Sequence, residues 1–181
     1  MPIREIVTLP QDILRRKARP VDDFGPDLQR LMDDMVDTMR VAPGVGLAAP
    51  QVNVPLRVIV VEFGDEENDE APRKLFTLAN PEIVRASTET VMGLEGCLSI
   101  PYLVGDVERA LEVTVKAHNR RGQPTRIKAR GWLARIFQHE IDHLNGVLFP
   151  DIAVKVFRPE EDEEPPEQAA LDITSEETTS I

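Results

Sequence analysis

Aromatic side chains are scarce in this chain: one Trp, one Tyr and six Phe make up 4% of its 181 residues. A core of ordinary size must therefore be assembled from Val, Ile, Leu, Ala and the five Met, and a length of this order suits one domain rather than two. Cysteine occurs once, at Cys97, which excludes an intrachain disulfide and suits a reducing compartment. That thiol must be buried, reactive or bound to metal. No run approaches the ~20 apolar residues that cross a bilayer, and Met1 to Pro10 lacks the charged-then-apolar layout of a secretion signal. These absences predict a cytoplasmic protein with no membrane partner.

Charge is unevenly distributed. The chain carries −11, but from Arg158 to Ile181 nine acidic residues face one Arg, a net of −8; −11 less −8 leaves −3 for Met1 to Phe157. The expected division is a folded domain at 1–157 and an acidic tail at 158–181. Pro159, Pro165, Pro166 and the run Glu160-Glu161-Asp162-Glu163-Glu164 leave the tail too little apolar area to offset its ordering entropy, so disorder is predicted there. A second acidic cluster, Asp65 to Glu70, separates two apolar runs as a surface loop would. Such a balance speaks against specific nucleic-acid binding.

What is present is patterned. Leu28, Leu31, Met32, Met35 and Met39 form a helical stripe behind Pro26, which predicts an amphipathic helix with one buried face over 26–39, its Met residues filling core. Arg57 to Glu62 and Leu75 to Ala79 read as buried strands. Leu111, Val113, Val115 and Ala117 alternate with Glu112, Thr114 and Lys116; the turn Asn119-Arg120-Arg121-Gly122 then leads into Thr125 to Ala129, a hairpin. Gly131 to Asn145 reads as a helix closed by Gly146. Hairpins with a helix at each end predict an α+β fold, antiparallel strands packed around a C-terminal helix, with the amphipathic helix N-terminal to them.

On that last helix, His139-Glu140-Ile141-Asp142-His143 matches H-E-x-x-H. Two His four residues apart lie on one helical face and can reach one cation, with the Glu beside them facing the same space. A helical wheel gives Trp132, Leu133, Ile136, Phe137, Ile141 and Leu144 as the apolar arc, with Ala134, Arg135, Gln138, Asp142 and Asn145 opposite. His139, Glu140 and His143 fall at the arc's edge, beside Trp132 and Ile136. The remaining histidine, His118, reads as an exposed bystander of the hairpin turn.

A catalytic metal usually takes three protein ligands, and no His follows His143. The best third candidate is Cys97 in Glu95-Gly96-Cys97-Leu98-Ser99. An inert buried thiol is the alternative, but the unfilled His-Glu-His site favours ligation. Thiolate plus two imidazoles suits Zn(II) or Fe(II) and disfavours Mg or Ca. An open fourth position would activate water, with Glu140 as general base and then acid, the layout of a hydrolase. Glu95 either orients a ligand or pairs with an Arg such as Arg109; Asp142 reads as structural, and Trp132 as pocket wall or core. A third segment, Gly44-Val45-Gly46-Leu47-Ala48-Ala49-Pro50-Gln51, has small residues that allow close backbone approach and ends on an amide able to donate to an oxyanion. It lacks the P-loop Lys, so phosphate binding is not expected.

Gly44 to Gln51, Glu95 to Ser99 and Gln138 to Gly146 together resemble, in order and spacing, the three signature motifs of the peptide deformylases, a likeness that runs from Ile6 to Phe149. The resemblance implies removal of the formyl group from N-formylmethionyl peptides, with transient proximity to the ribosome. It implies Cys97, His139 and His143 as ligands of one divalent metal, Fe(II) in the cell with Zn(II), Ni(II) or Co(II) as substitutes, and Glu140 as base and acid. It further implies that the Gln51 amide and the Leu98 N–H bind the formyl oxygen. Val45 and Gly46 would hold the substrate as an added strand, with its methionine near Ile136. Family members often carry an Arg soon after the second motif, where this chain has Tyr102-Leu103-Val104-Gly105-Asp106, so contacts to the substrate's C-terminal side are expected to differ. Two other readings stay open on the residues alone: a metal-dependent endopeptidase, and a metal-binding or ribosome-associated protein without catalysis.

Overall fold

The computed structural model describes residues 2–64 and 72–159. The acidic cluster at 65–70 and the tail from 160 onward lie outside the described residues. In chain order come α1 (Pro26–Val41), β1 (Gly46–Ala48), β2 (Val58–Phe63), β3 (Lys74–Ala86), β4 (Thr90–Cys97) and β5 (Ile100–Ala110). They are followed by β6 (Glu112–Asn119), β7 (Pro124–Arg130), α2 (Gly131–Leu144), α3 (Phe149–Ile152) and β8 (Lys155–Phe157). A five-stranded sheet has the order β1-β2-β3-β6-β7 and a three-stranded sheet the order β4-β5-β8. Each of their strand pairs is antiparallel, so the mixed helix and antiparallel-sheet architecture is the one expected.

The large sheet is covered on both faces at β2. Side chains of a strand alternate between faces, and β2 shows the consequence: Ile59 and Val61 join the cluster of Ile136, Phe137, Ile141 and Leu144 from α2, whereas Val58 and Val60 join Leu31, Met32, Met35 and Met39 from α1. Both faces being apolar, β2 reads as a continuous run, Val58-Ile59-Val60-Val61, all four fully buried. The methionines of α1 are core, as expected. Asp34 and Thr38 on the same helix are buried too, where Arg4 Nε donates to Asp34 at 3.1 Å and the Arg4 N–H to Thr38 Oγ1 at 2.9 Å.

The small sheet is built differently. Ile100 and Val107 from β5 pack with Leu14, Leu148 and Phe149, but β4 leaves Val91, Met92 and Leu94 between 39% and 51% exposed. Neither β4 nor β5 stands out in the sequence as a strand.

Three expectations need correction. The strands are longer than their apolar runs: β3 continues to Ala86 past Asn80, which has φ of 52°, through register shifts between Ala79 and Glu82 and between Ile83 and Arg85. On α2, Ala134, Arg135 and Gln138 are buried rather than opposite the core, and Trp132 is 40% exposed. The helix packs on the large sheet by one side while Arg135 reaches β4 and β5 by another, so a single apolar arc does not describe its covered surface. His118 is half-buried, its ring centroid 5.8 Å from that of Phe24. The helix does stop where a left-handed residue is available: Gly146 has φ of 74°, and a Cβ there would meet the Arg15 carbonyl oxygen at 2.4 Å.

Candidate active site

A cavity of about 370 Å³ lies where β1, β4 and α2 meet. Its wall is residues 43–46, Gln51, residues 94–98, and Trp132, Arg135, Ile136, His139 and Glu140 from α2. The three sequence motifs thus converge on one space. Every site residue predicted from the sequence lines it except His143, which is 2% exposed, one helical turn beyond His139.

The helix presents its two imidazoles 5.0 Å apart between ring centroids. Cys97 ends β4, at a register shift after Gly96, and its Sγ lies 3.3 Å from His143 Nε2. One ligand atom from each of Cys97, His139 and His143 falls within 4.8 Å of the others. Behind His139, Glu95 Oε2 stands 2.9 Å from Nδ1. Burial pushes the Glu95 carboxyl up, but hydrogen bonds from His139 and Arg109 outweigh it and hold it down to about 2. An ionised carboxylate only accepts, so Nδ1 donates to it and Nε2 is left as the atom that would face a cation.

Glu95 is therefore both of the things the sequence left open. It orients His139, and it pairs with Arg109, whose Nε and Nη2 donate to its two oxygens at 2.9 and 3.0 Å. Asp142 accepts from Arg109 Nη1 at 2.6 Å, the structural part expected of it.

The donor set suits a divalent cation. A thiol and two imidazoles are the borderline-soft ligands that Zn(II) and Fe(II) take, and three of them leave one position for reactant. A carboxylate behind one imidazole is the usual support for such a ligand. Burial disfavours the imidazolium, yet hydrogen bonds to Cys97 and Glu95 draw His139 up to about 10, while burial keeps His143 well below its ordinary value.

Glu140 is 5% exposed, and its Oε2 has no hydrogen-bond partner. Burial pushes its carboxyl up to about 7 against the pull of His139. Gly46 makes room for it, since a Cβ there would meet Glu140 Oε1 at 2.4 Å. Opposite, the Ala48 N–H donates to Gln51 Oε1 at 2.9 Å, which fixes the amide so that Nε2 faces Ser99 Oγ at 3.2 Å and Cys97 Sγ at 3.5 Å. The two loops approach closely at Gly44, where a Cβ would meet Leu98 Cδ1 at 3.2 Å. Val45 is 38% exposed at the rim and Ile136 is buried in the wall.

Sequence reasoning missed Ser99 and Arg135. Ser99 was within reach as the last residue of the second motif. Arg135 precedes His139 by four residues, a spacing that puts both on one helical side, but its angle on the wheel falls opposite the apolar arc.

Residues 3–158 match the family model of polypeptide deformylase. The chain is 50% identical over 171 residues to the peptide deformylase of Symbiobacterium thermophilum, covering 94% of this chain and 76% of that one. It is 47% identical to peptide deformylase 1 of Bacillus subtilis, over 89% and 96% of the two chains. Among solved structures, the Thermotoga maritima peptide deformylase superposes with a TM-score of 0.79 at 37% identity, covering 86% of this chain and all of that one. The Met-Ala-Ser-bound class I type b enzyme of Acinetobacter baumannii gives 0.77 at 40% identity, over 83% and 98%. Likeness of this extent sets aside both the endopeptidase and the non-catalytic readings. With its three motifs gathered around one cavity, the chain belongs to the peptide deformylase family, metal-dependent hydrolases that remove the N-formyl group from new polypeptides.

Proposed function

We propose that Cys97, His139 and His143 hold one divalent cation, Fe(II) in the cell with Zn(II), Ni(II) or Co(II) as substitutes, and that Glu140 is general base and acid for N-formylmethionyl peptides. The observation that carries this reading is the unpartnered Oε2 of Glu140 in the same cavity as the Cys-His-His cluster. A buried carboxylate without a partner is costly unless a reactant satisfies it. When bound, the cation polarises the formyl carbonyl and makes water a nucleophile near neutral pH.

Glu140 takes a proton from the attacking water and returns it to the departing amine nitrogen as the carbon–nitrogen bond breaks, releasing formate. The Gln51 Nε2–H and the Leu98 N–H donate to the formyl oxygen as it gains charge. Backbone groups of Val45 and Gly46, beside the β1 edge, take the peptide as an added strand, and the methionine side chain occupies the apolar part of the cavity near Ile136. The catalytic domain is 1–157 and the acidic tail 158–181. The enzyme works in the cytoplasm and meets its substrate near the ribosome without specific nucleic-acid contact. Among the described residues no helix is long and apolar enough to cross a membrane.

Metal analysis of anaerobically purified protein, run beside a formyl-Met-Ala assay, tests the ligand set. Cys97→Ala and His143→Ala should each lose the metal and, with it, more than ~10²-fold of the activity. Either variant keeping a full metal complement would remove that residue from the site.

A further inference from the structure

The role of Arg135 is not explained by the chemistry above. Its side chain is 4% exposed and lies on α2, beside the cavity. Nη1 donates to Glu95 Oε1 at 2.9 Å and to the Val107 carbonyl at 2.8 Å, and Nη2 donates to the Val91 carbonyl at 2.7 Å. One side chain therefore ties α2 to β4, to β5 and to the carboxylate that orients His139. Its guanidinium carbon also lies 5.8 Å from the centre of the Trp132 ring, at the cavity wall.

Stability alone does not account for this arrangement. A buried ion pair can often be exchanged for apolar side chains of similar volume at no loss, and Arg109 already gives Glu95 a bidentate partner. Arg135 adds position. It shares Oε1 with Arg109 Nε, one guanidinium from β5 and the other from α2, while Oε2 is directed at His139 Nδ1. The neighbouring strand is shaped to admit it: a Cβ on Gly93 would meet Arg135 Cζ and Nη2 at 2.7 Å.

We infer that Arg135 is a positioning residue for deformylation: it clamps β4 to α2 and sets the rotation of the Glu95 carboxylate, so that His139 presents Nε2 to the cation at a fixed angle. This rests on the ligand assignment proposed above. Lys in its place has one donor group and no fork, so it restores part of the clamp. Leu or Met fills the volume and restores none of it.

The test uses full-length protein loaded with Co(II), whose visible absorption reports ligand geometry, with Co(II) affinity, formyl-Met-Ala kinetics and thermal unfolding measured in parallel. Arg135→Met should weaken Co(II) binding ~10- to 100-fold, the usual consequence of losing support behind a ligand. It should also shift the absorption band and lower kcat more than it raises KM. Arg135→Lys should fall between Met and the native residue in each readout. Gly93→Ala should reproduce the Arg135→Met effects, and the double variant should be no worse than Arg135→Met, because the methyl group acts by displacing the guanidinium and the clamp is already lost without it.

An unchanged Co(II) spectrum and affinity in Arg135→Met would overturn the inference, as would additive losses in the double variant. Should Arg135→Met not fold, Arg135→Lys and Gly93→Ala carry the same readouts and decide it in the same way. Cys97→Ala separates the two claims. Retention of Co(II) by that variant sinks the ligand set itself; its loss, with Arg135→Met binding like the native protein, sinks the role of Arg135 alone.

Discussion

The two sheets of this enzyme are held by different forces. The five-stranded sheet is stabilised by apolar burial, under α2 on one face and, at β1 and β2, under α1 on the other, with Ile59, Val61 and Phe137 on one side and Val58, Val60 and Met35 on the other. The three-stranded sheet brings Cys97 to the cavity with little apolar cover over β4. Its contact with α2 runs through Glu95, Arg109, Arg135 and Asp142. Apolar burial is non-directional and tolerates small shifts, whereas a network of charged hydrogen bonds fixes distances and angles. The scaffold uses the first and the approach to the candidate metal ligands the second.

That contrast can be broken from the polar side first. Glu95→Gln leaves two buried guanidinium groups short of a carboxylate, an imbalance worth ~3–5 kcal/mol of stability. It also withdraws the anion behind His139, so metal affinity should fall ~10- to 100-fold. Equilibrium unfolding and metal titration of the same preparation measure both. A variant that loses stability while binding metal as the native protein does would show the network to be scaffold only.

The apolar side gives the complementary experiment. Ile59→Ala, at a fully buried position, should cost ~2–5 kcal/mol of stability through lost contacts and a residual cavity. In the folded protein at low temperature, its metal affinity and kcat/KM should stay within about threefold of native. A matching loss of metal affinity would mean that the large sheet, too, sets ligand geometry.

The smallest effect is expected from removing the acidic tail. Ending the chain after Phe157 removes net charge of −8 and none of the residues at the cavity. Metal content should be unchanged, and kcat/KM on small formyl-peptides should stay within about threefold, a barrier change below ~1 kcal/mol. Nonspecific RNA association at low salt should tighten instead. A tenfold loss in the peptide assay would assign the tail a part in the site.

The same contrast decides what could be read from sequence. Periodicity reports apolar burial, and so α1, β2, the β6–β7 hairpin and α2 were legible from residues such as Leu28, Met35, Val113 and Phe137. It does not report polar networks. In β4, Gly93 and Gly96 interrupt any alternation, and Val91, Met92 and Leu94 stay half in solvent, so the strand left no trace. The wheel set Arg135 and Gln138 apart from the core because their angles fall opposite its one apolar arc. In the fold, Gln138 is satisfied by Ala110, whose N–H donates to its Oε1 and whose carbonyl accepts from its Nε2. The His-Glu-His spacing was legible for a different reason: a helix fixes the relation of residues four apart without help from the rest of the fold. Glu95 had two partners in prospect because their distances depend on long-range packing that spacing does not encode.

The central claim is that Glu140 performs the proton transfers beside a cation held by Cys97, His139 and His143. Glu140→Gln tests it most directly, because the amide keeps the size of the side chain and removes its basicity. Metal content and formyl-Met-Ala turnover should be measured on one anaerobic preparation. The account predicts a full metal complement with turnover reduced ~10²- to 10⁴-fold; native-like turnover with metal bound would contradict it.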